Sequence, residues 1–401
     1  MTSAGDAVAR LVREERARVL ATLIRVTGSV DLAEDAAQDA VVRALETWPR
    51  DGVPDNPRAW LLVTAKRQAI DHIRREGRRA DKEAAAMDFV DPADEPAEAV
   101  RDDLLRLVFT CCHPFLSLDA QVALALRTLG GLSTTEVARG LMVPEATMAK
   151  RLTRAKQKIA KAAIPYRVPA AEELPDRLDG VATTVYLIFN EGYADVGRPE
   201  LALEALRLGR VLAELMPDEP TVLGLLALML LQESRRAARR AADGTPVLLA
   251  DQDRSRWDAR AIKEGVSLVG VALRRSPDHP NRHAVQAAIV ACHALSPSYA
   301  ETNWDAVVSW YDVLLTVHDT PVVRLNRAVA VGERDGPAAA LALVDGIPGL
   351  EAYPWWQASR AELLHRLGDK DSARAAYEQA LALGINEPTA EHLRRRIDDL
   401  G

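Results

Sequence analysis

The chain has 401 residues, 48% of them hydrophobic and 27% charged, with a formal net charge of −7. A chain of this length buries sizeable cores and is expected to form about three domains. The amino-terminal MTSAGDAVARLVREE lacks the apolar core of a signal peptide, and no apolar run is long enough to span a bilayer, so a cytoplasmic protein without a membrane partner is expected.

The first informative element is acidic. Asp31 to Trp48 reads as a helix that opens on Asp31 with Glu34 three residues later, a capping-box-like start. Ala33, Ala36, Ala40, Ala44 and Trp48 mark a closely packing face, while Glu34, Asp35, Gln38 and Asp39 project elsewhere. Carboxylates in a first turn also suit the helix dipole without any partner. The next helix is basic. Asn56 is placed to cap it and Pro57 suits its first position. Leu62, Ala65, Ala69 and Ile73 then recur on one side, and Arg67, Asp71, Arg74 and Arg78 on the other. A stretch from Asp81 to Glu98 follows in which seven carboxylates oppose Lys82 alone, and Pro92 and Pro96 make it a poor helix.

The second basic segment carries a more specific signal than charge. In Gly131 to Lys161, Ser133 with Glu136 forms a capping box, Gly140 ends a short helix and Pro144 opens the next, which is the spacing of a helix-turn-helix. Met148, Leu152, Ala155 and Ile159 fall on its buried side. Thr147, Lys150, Arg151, Arg154 and Lys158 lie on the open side, placed to enter a major groove. Positive charge segregated onto two helices of an acidic chain is a footprint for polyanions, most often nucleic acid. Cys111, Cys112 and His113 adjoin, and Cys292 precedes His293, but none has the C-x-x-C spacing of a metal site. Buried, reduced cysteines and no metal or other cofactor are expected.

From about Pro169 onward the pattern stays helical. Leu201 to Met216 and Thr221 to Gln232 are apolar-periodic runs separated by PDEP. Ala358 to Pro388 has the plan of a tetratricopeptide repeat, with a period of about 34 residues, and Leu325 to Ile347 repeats it, Arg327-Ala328 answering Arg360-Ala361. Asn190, Glu191 and Tyr193 admit a pocket or a helix cap. No phosphate-cradling glycine loop, nucleophile elbow or acid–base set stands out, so the chain is not read as an enzyme.

The order of these parts resembles an RNA polymerase sigma factor of the extracytoplasmic-function (ECF) class, of the subgroup with a long tetratricopeptide-like carboxy-terminal extension. The carrying residues are Asp31 to Pro49, Asn56 to Glu76 and Leu132 to Ile159, with Phe109 to Leu132, Val185 to Tyr193, Gln252 to Asp258 and LNRAVAV in support. The resemblance implies an all-α fold with a sigma-2 domain (1–79), an acidic linker (80–100), a sigma-4 domain (101–166) and an extension (167–401). It implies that Asp31, Glu34, Asp35, Gln38 and Asp39 contact the clamp helices of the largest polymerase subunit. Trp60, Lys66, Arg67, Asp71, Arg74 and Arg75 would serve the minus-10 element, Trp60 more by packing than by stacking, and the loop Trp48 to Pro57 would accept a flipped base. Thr147, Lys150, Arg151, Arg154 and Lys158 would read minus-35 duplex. The extension would govern activity, by contact with the sigma domains or through a protein or peptide ligand. The alternatives are a stand-alone helix-turn-helix regulator with an effector-binding solenoid and a scaffold using the solenoid alone. A repressor has no use for an exposed acidic helix face.

Overall fold

The computed structural model describes residues 4–76, 97–162, 164–194, 198–241, 245–385 and 387–400, with side chains except those of 4–14, 72–76, 97–100, 194 and 388. The acidic stretch between the two basic segments therefore lies mostly outside the described residues. Those residues form eighteen α-helices, and the only β pairing among them is an isolated bridge between Arg240 and Pro246. The all-α expectation holds. The chain divides into two compact units, Met1–Val211 and Leu212–Gly401.

The first unit holds α1 (Ala4–Thr27), α2 (Val30–Asp51), α3 (Pro57–Glu76), α4 (Ala97–Cys111), α5 (Leu118–Leu124), α6 (Thr134–Gly140), α7 (Glu145–Lys161), α8 (Leu174–Ala194) and the greater part of α9 (Pro199–Leu215). Several helix ends fall where local chemistry puts them. Asn56 Oδ1 accepts from the Ala59 amide at 3.0 Å at the start of α3, and Ser133 and Glu136 complete the capping box of α6. The start of α2 differs from expectation. Its cap is Ser29, which accepts from the Leu32 amide, leaving Asp31 in the first turn. The helix also runs through Pro49 to Asp51, so the loop before α3 begins only at Gly52. Pro49 removes the donor to the Leu45 carbonyl, but it does so near the end of the helix, where Leu45 is exposed and water can take the donor's place.

Small residues let these helices approach closely. Ala33, Ala36, Ala40, Ala44 and Trp48 of α2 are buried, as are Leu61, Leu62, Ala65 and Ala69 of α3. Trp48 meets Trp60 edge to face, with ring centroids 5.2 Å apart. A π-helical turn over Ala125–Leu129 continues α5 and ends on Gly130, where any Cβ would stand 2.7 Å from the Leu126 carbonyl oxygen.

The second unit contains α10 (Pro220–Glu233), α11 (Ala259–Arg275), α12 (Arg282–Leu295), α13 (Trp304–Val317), α14 (Pro321–Asp335), α15 (Pro337–Asp345), α16 (Pro354–Arg366), α17 (Lys370–Ala382) and α18 (Glu387–Asp398). Residues Val222 to Leu231 of α10 are all buried, which explains a helix that is apolar all round. From α13 onward the helices repeat. Alternate helices start at Trp304, Pro337 and Lys370, and the others at Pro321, Pro354 and Glu387, a spacing of 33 residues in each series. The ion pair Asp312–Arg327 recurs one period on as Asp345–Arg360, at 2.6 and 2.8 Å.

Candidate polymerase and promoter interface

Three segments were expected to act, and the first unit contains all of them. The HTH is formed by α6 and α7. Met148, Leu152 and Ala155 are buried, while Thr147, Lys150, Arg154 and Lys158 are exposed and Arg151 is half-buried. Two of these cations have intramolecular partners. Arg151 lies 3.4 Å from Asp119, and Lys158 donates to the Phe115 carbonyl and sits over that ring, 4.5 Å from its centroid. Phe115, Arg154, Gln157, Lys158, Lys161 and Ala162 line a cavity of about 390 Å³ at this end of α7. The turn between the two helices places Met142 at φ +50°, a left-handed conformation without a glycine.

On α3, Arg67 and Asp71 are exposed, Lys66 is half-buried, and Trp60 is half-buried against Trp48. The side chains of Arg74 and Arg75 lie outside the described residues. On α2, Asp31, Asp35, Gln38 and Asp39 are exposed. Glu34 is not. It is 7% exposed, because Lys156 of α7 reaches across to it with Nζ 2.5 Å from Glu34 Oε2 and 3.4 Å from Asp31 Oδ1. The expected projection of Glu34 into solvent is thus corrected by a residue 122 positions away.

The surroundings of Glu34 are cationic and buried. Burial, reinforced by Arg127, pulls the Arg16 guanidinium down to about 10, and the Glu34 charge opposes that shift. Burial, Cys112 and Glu34 push the Cys111 thiol well above its ordinary value, and burial pushes Cys112 up to about 12. Both are inert thiols packed in a core, which suppresses thiolate chemistry. Nearby, Asp103 is buried between Arg25 at 2.8 Å and Arg106 at 3.3 Å. The Tyr166 hydroxyl stands 2.9 and 3.1 Å from the carbonyl oxygens of Ala21 and Asp103, sharing its single proton between them and fastening the chain after α7 to α1 and α4.

Sequence reasoning missed a set of side chains that ties α8 and α9 to the HTH region. Arg177 donates to the Phe109 carbonyl at 2.6 Å. The Thr184 hydroxyl donates to Gln121 Oε1 at 3.0 Å, and the Gln121 amide donates to the carbonyls of His113 and Leu116. Arg198 donates to Gly140, and Arg207 to Leu129 at 2.7 Å. The signal available was the run VYLIFNEGY itself. Asn190, Glu191 and Tyr193 prove to lie within α8; Glu191 pairs with Arg198, and Tyr193 stacks on Phe189. QDRSRWD is likewise structural. Asp253 and Asp258 cap the turns that follow them, and Arg254 lies over Trp257 while reaching the carbonyls of His293 and Ser296.

In the second unit a cavity of about 890 Å³ is walled by α14, α16 and α18, with Tyr311, Asn326, Trp355 and His392 among its lining. Its wall charges pair internally, Glu333 with Arg366 at 2.6 Å and Glu362 with Arg396 at 2.7 Å. Among the described residues no helix is long and apolar enough to cross a membrane.

An acidic α2 and a basic α3 precede the helix-turn-helix, and residues 11–79 match sigma-70 region 2. Residues 177–273 match a family of unknown function, DUF6596. The chain is 42% identical over 398 residues to an uncharacterized protein of Rhizobium meliloti, covering 96% of this chain and 94% of that protein. It is 31% identical over 156 residues to the ECF RNA polymerase sigma factor SigK of Mycobacterium sp. (strain KMS), covering 37% of this chain and 78% of SigK. Over 176 residues it is 28% identical to the probable ECF RNA polymerase sigma factor SigI of Mycobacterium tuberculosis, covering 42% and 59%. The chain belongs to the ECF RNA polymerase sigma factors of the sigma-70 family, with a long carboxy-terminal extension.

Proposed function

We propose that this sigma factor binds core RNA polymerase through the exposed carboxylates of α2, opens the minus-10 element with α3 and reads minus-35 duplex with α7. The observation that carries the reading is one compact unit in which Asp35, Gln38 and Asp39 on one helix and Thr147, Lys150 and Arg154 on another all face solvent. Neither set is needed for packing, since the apolar positions of both helices already fill the core. Capture of a base by the loop before α3 would offset the few kcal/mol of unstacking, so melting needs no ATP-driven motor. Control by the extension is supported by the four side chains of α8, α9 and the segment between them that hold Phe109, Gln121, Leu129 and Gly140.

Run-off transcription with core polymerase and the full chain tests the reading. Asp35→Lys with Asp39→Lys is expected to abolish co-purification with core enzyme while leaving the far-ultraviolet circular dichroism unchanged, because both side chains are exposed. Undiminished co-purification of the doubly reversed chain refutes the assignment of α2.

A further inference from the structure

We propose that the cavity of the second unit is a binding site for a small, uncharged, planar aromatic molecule that carries hydrogen-bonding groups. The inference goes beyond the sigma-factor reading and does not rest on it. The wall is built from repeated positions. Val322, Asn326 and Val329 of α14 line the cavity, and so do the residues 33 places on, Trp355, Ser359 and Glu362 of α16. His392 of α18 extends the Asn326–Ser359 row by one more period. Pro246, Leu248 and Leu249, which precede α11, line the same cavity. Burial and the neighbouring Arg395 and Arg396 pull the His392 imidazole down, while Glu362 and Asp251 oppose that shift, so the segment ending at Asp251 stands beside the last helix. The early and late parts of the unit thus bound one cavity. Its volume of about 890 Å³ falls in the range of sites for compact organic molecules, about 300–1,000 Å³.

The chemistry of the lining selects the ligand. Trp355 is nearly half exposed, and no aromatic side chain stacks on it among the described residues. Val322 and Val329, two turns apart on one face of α14, are also more than a third exposed. Apolar surface of this kind gains from being covered, and a flat ring suits an indole, by offset stacking or edge to face. The polar side chains fall into two sets. The charged ones are spent on one another, Glu333 with Arg366 at 2.6 Å and Glu362 with Arg396 at 2.7 Å, and the Tyr377 hydroxyl also donates to Glu362 at 2.8 Å. A ligand with net charge finds no unspent counter-charge among the lining side chains and would lose its hydration without return. The neutral ones are unspent. Tyr311, Asn326, Ser359 and His392 make no side-chain hydrogen bond among the described residues. Burial pushes the Tyr311 hydroxyl up to about 12, so it remains a donor at neutral pH. These four groups match the donors and acceptors on the edge of a neutral ring system.

Binding of 7-amino-4-methylcoumarin to the full chain tests the site. This probe is uncharged and flat, with an amine donor and a lactone carbonyl acceptor, and its fluorescence reports its surroundings. Saturable binding at a single site is expected. Trp355→Ala should weaken it about threefold to tenfold through the lost ring contact, and Asn326→Leu about fivefold through a lost hydrogen bond. Both side chains are exposed, so the far-ultraviolet circular dichroism should not change. Val329→Trp, at another exposed position of the wall, should fill the cavity and abolish binding. The 3-acetic acid derivative of the probe, which places a carboxylate on the same rings, should bind at least about tenfold more weakly. No saturable binding, or binding that all three variants leave unchanged, overturns the site. Equal binding of the carboxylate derivative overturns the preference for an uncharged ligand. Uncharged decapeptides that displace the probe at concentrations below its own dissociation constant assign the cavity to an extended chain and overturn the small-molecule reading.

Discussion

Two glycines of α8 provide a direct test of how the extension grips the HTH region. A Cβ at Gly180 would meet only the Cys112 carbonyl oxygen, at 3.9 Å. Gly180→Ala should therefore keep its gain in helix propensity and stabilise the first unit by about 0.8–1 kcal/mol. A Cβ at Gly192 would press into the Ala202 backbone nitrogen and stand 2.8 Å from the Arg198 carbonyl oxygen. These are backbone atoms of the approach to α9, so neither can rotate away as a side chain does. Overpacking of this kind costs about 1–3 kcal/mol, against a propensity gain of at most about 1. Because the clash is with backbone, the cost falls toward the upper end of that range, and Gly192→Ala should destabilise by up to about 2 kcal/mol and loosen the Arg198 contact with Gly140. The same methyl group added twice to one helix should act with opposite sign. Trp48 and Trp60 are the only tryptophans of the first unit among seven in the chain. Fluorine resonances of 5-fluorotryptophan at those positions, followed through urea, isolate its transition. Midpoints that move in the same direction for both variants refute the packing argument.

Arg154→Ala should lose about 1–3 kcal/mol of discrimination at one minus-35 base pair, read by competition binding across substituted duplexes; a uniform loss over all sequences assigns Arg154 to phosphate instead. Met142→Gly should stabilise the HTH by roughly 1 kcal/mol by relieving its left-handed backbone, and a lower urea midpoint contradicts that account. The second unit should weaken in mild acid. Burial holds His283 down to about 3 and His293 to about 4, with nearby arginines adding to both. Above pH 6.5 both are neutral folded or unfolded. Below it the unfolded chain binds protons that the folded chain refuses, so each histidine removes about 1.4 kcal/mol by pH 5.5. Imidazole resonances of His283 and His293 that titrate near 6.5 in the folded protein exclude this.

Local chemistry made much of the chain legible. Asn56 and Pro57 begin α3, Ser133 and Glu136 begin α6, and the apolar spacing of Met148, Leu152 and Ala155 sets the inward face of α7. Those signals act over three or four residues, the reach of a capping bond or one helical turn. The start of α2 was misread for a related reason, since Ser29 and Asp31 are both competent caps and the competition between them is not written in either residue. The repeat was legible only in Leu325 to Ile347 and Ala358 to Pro388, where Arg327 answers Arg360; the Asp312 and Asp345 partners and the start at Trp304 emerged only with the structure.

What sequence alone determined, then, is the order of elements, the helix faces and their charges. The tertiary structure decided which of those charges remain available. Glu34 and Asp35 are neighbours with the same functional group, yet one is buried under Lys156 and the other is open to solvent. Helix geometry sets Asp35 opposite the buried alanines of α2 and Glu34 on the flank of that face, but it does not say what covers the flank. Coulombic attraction and burial act through space, so a lysine distant in sequence settles which carboxylate is free to meet a partner.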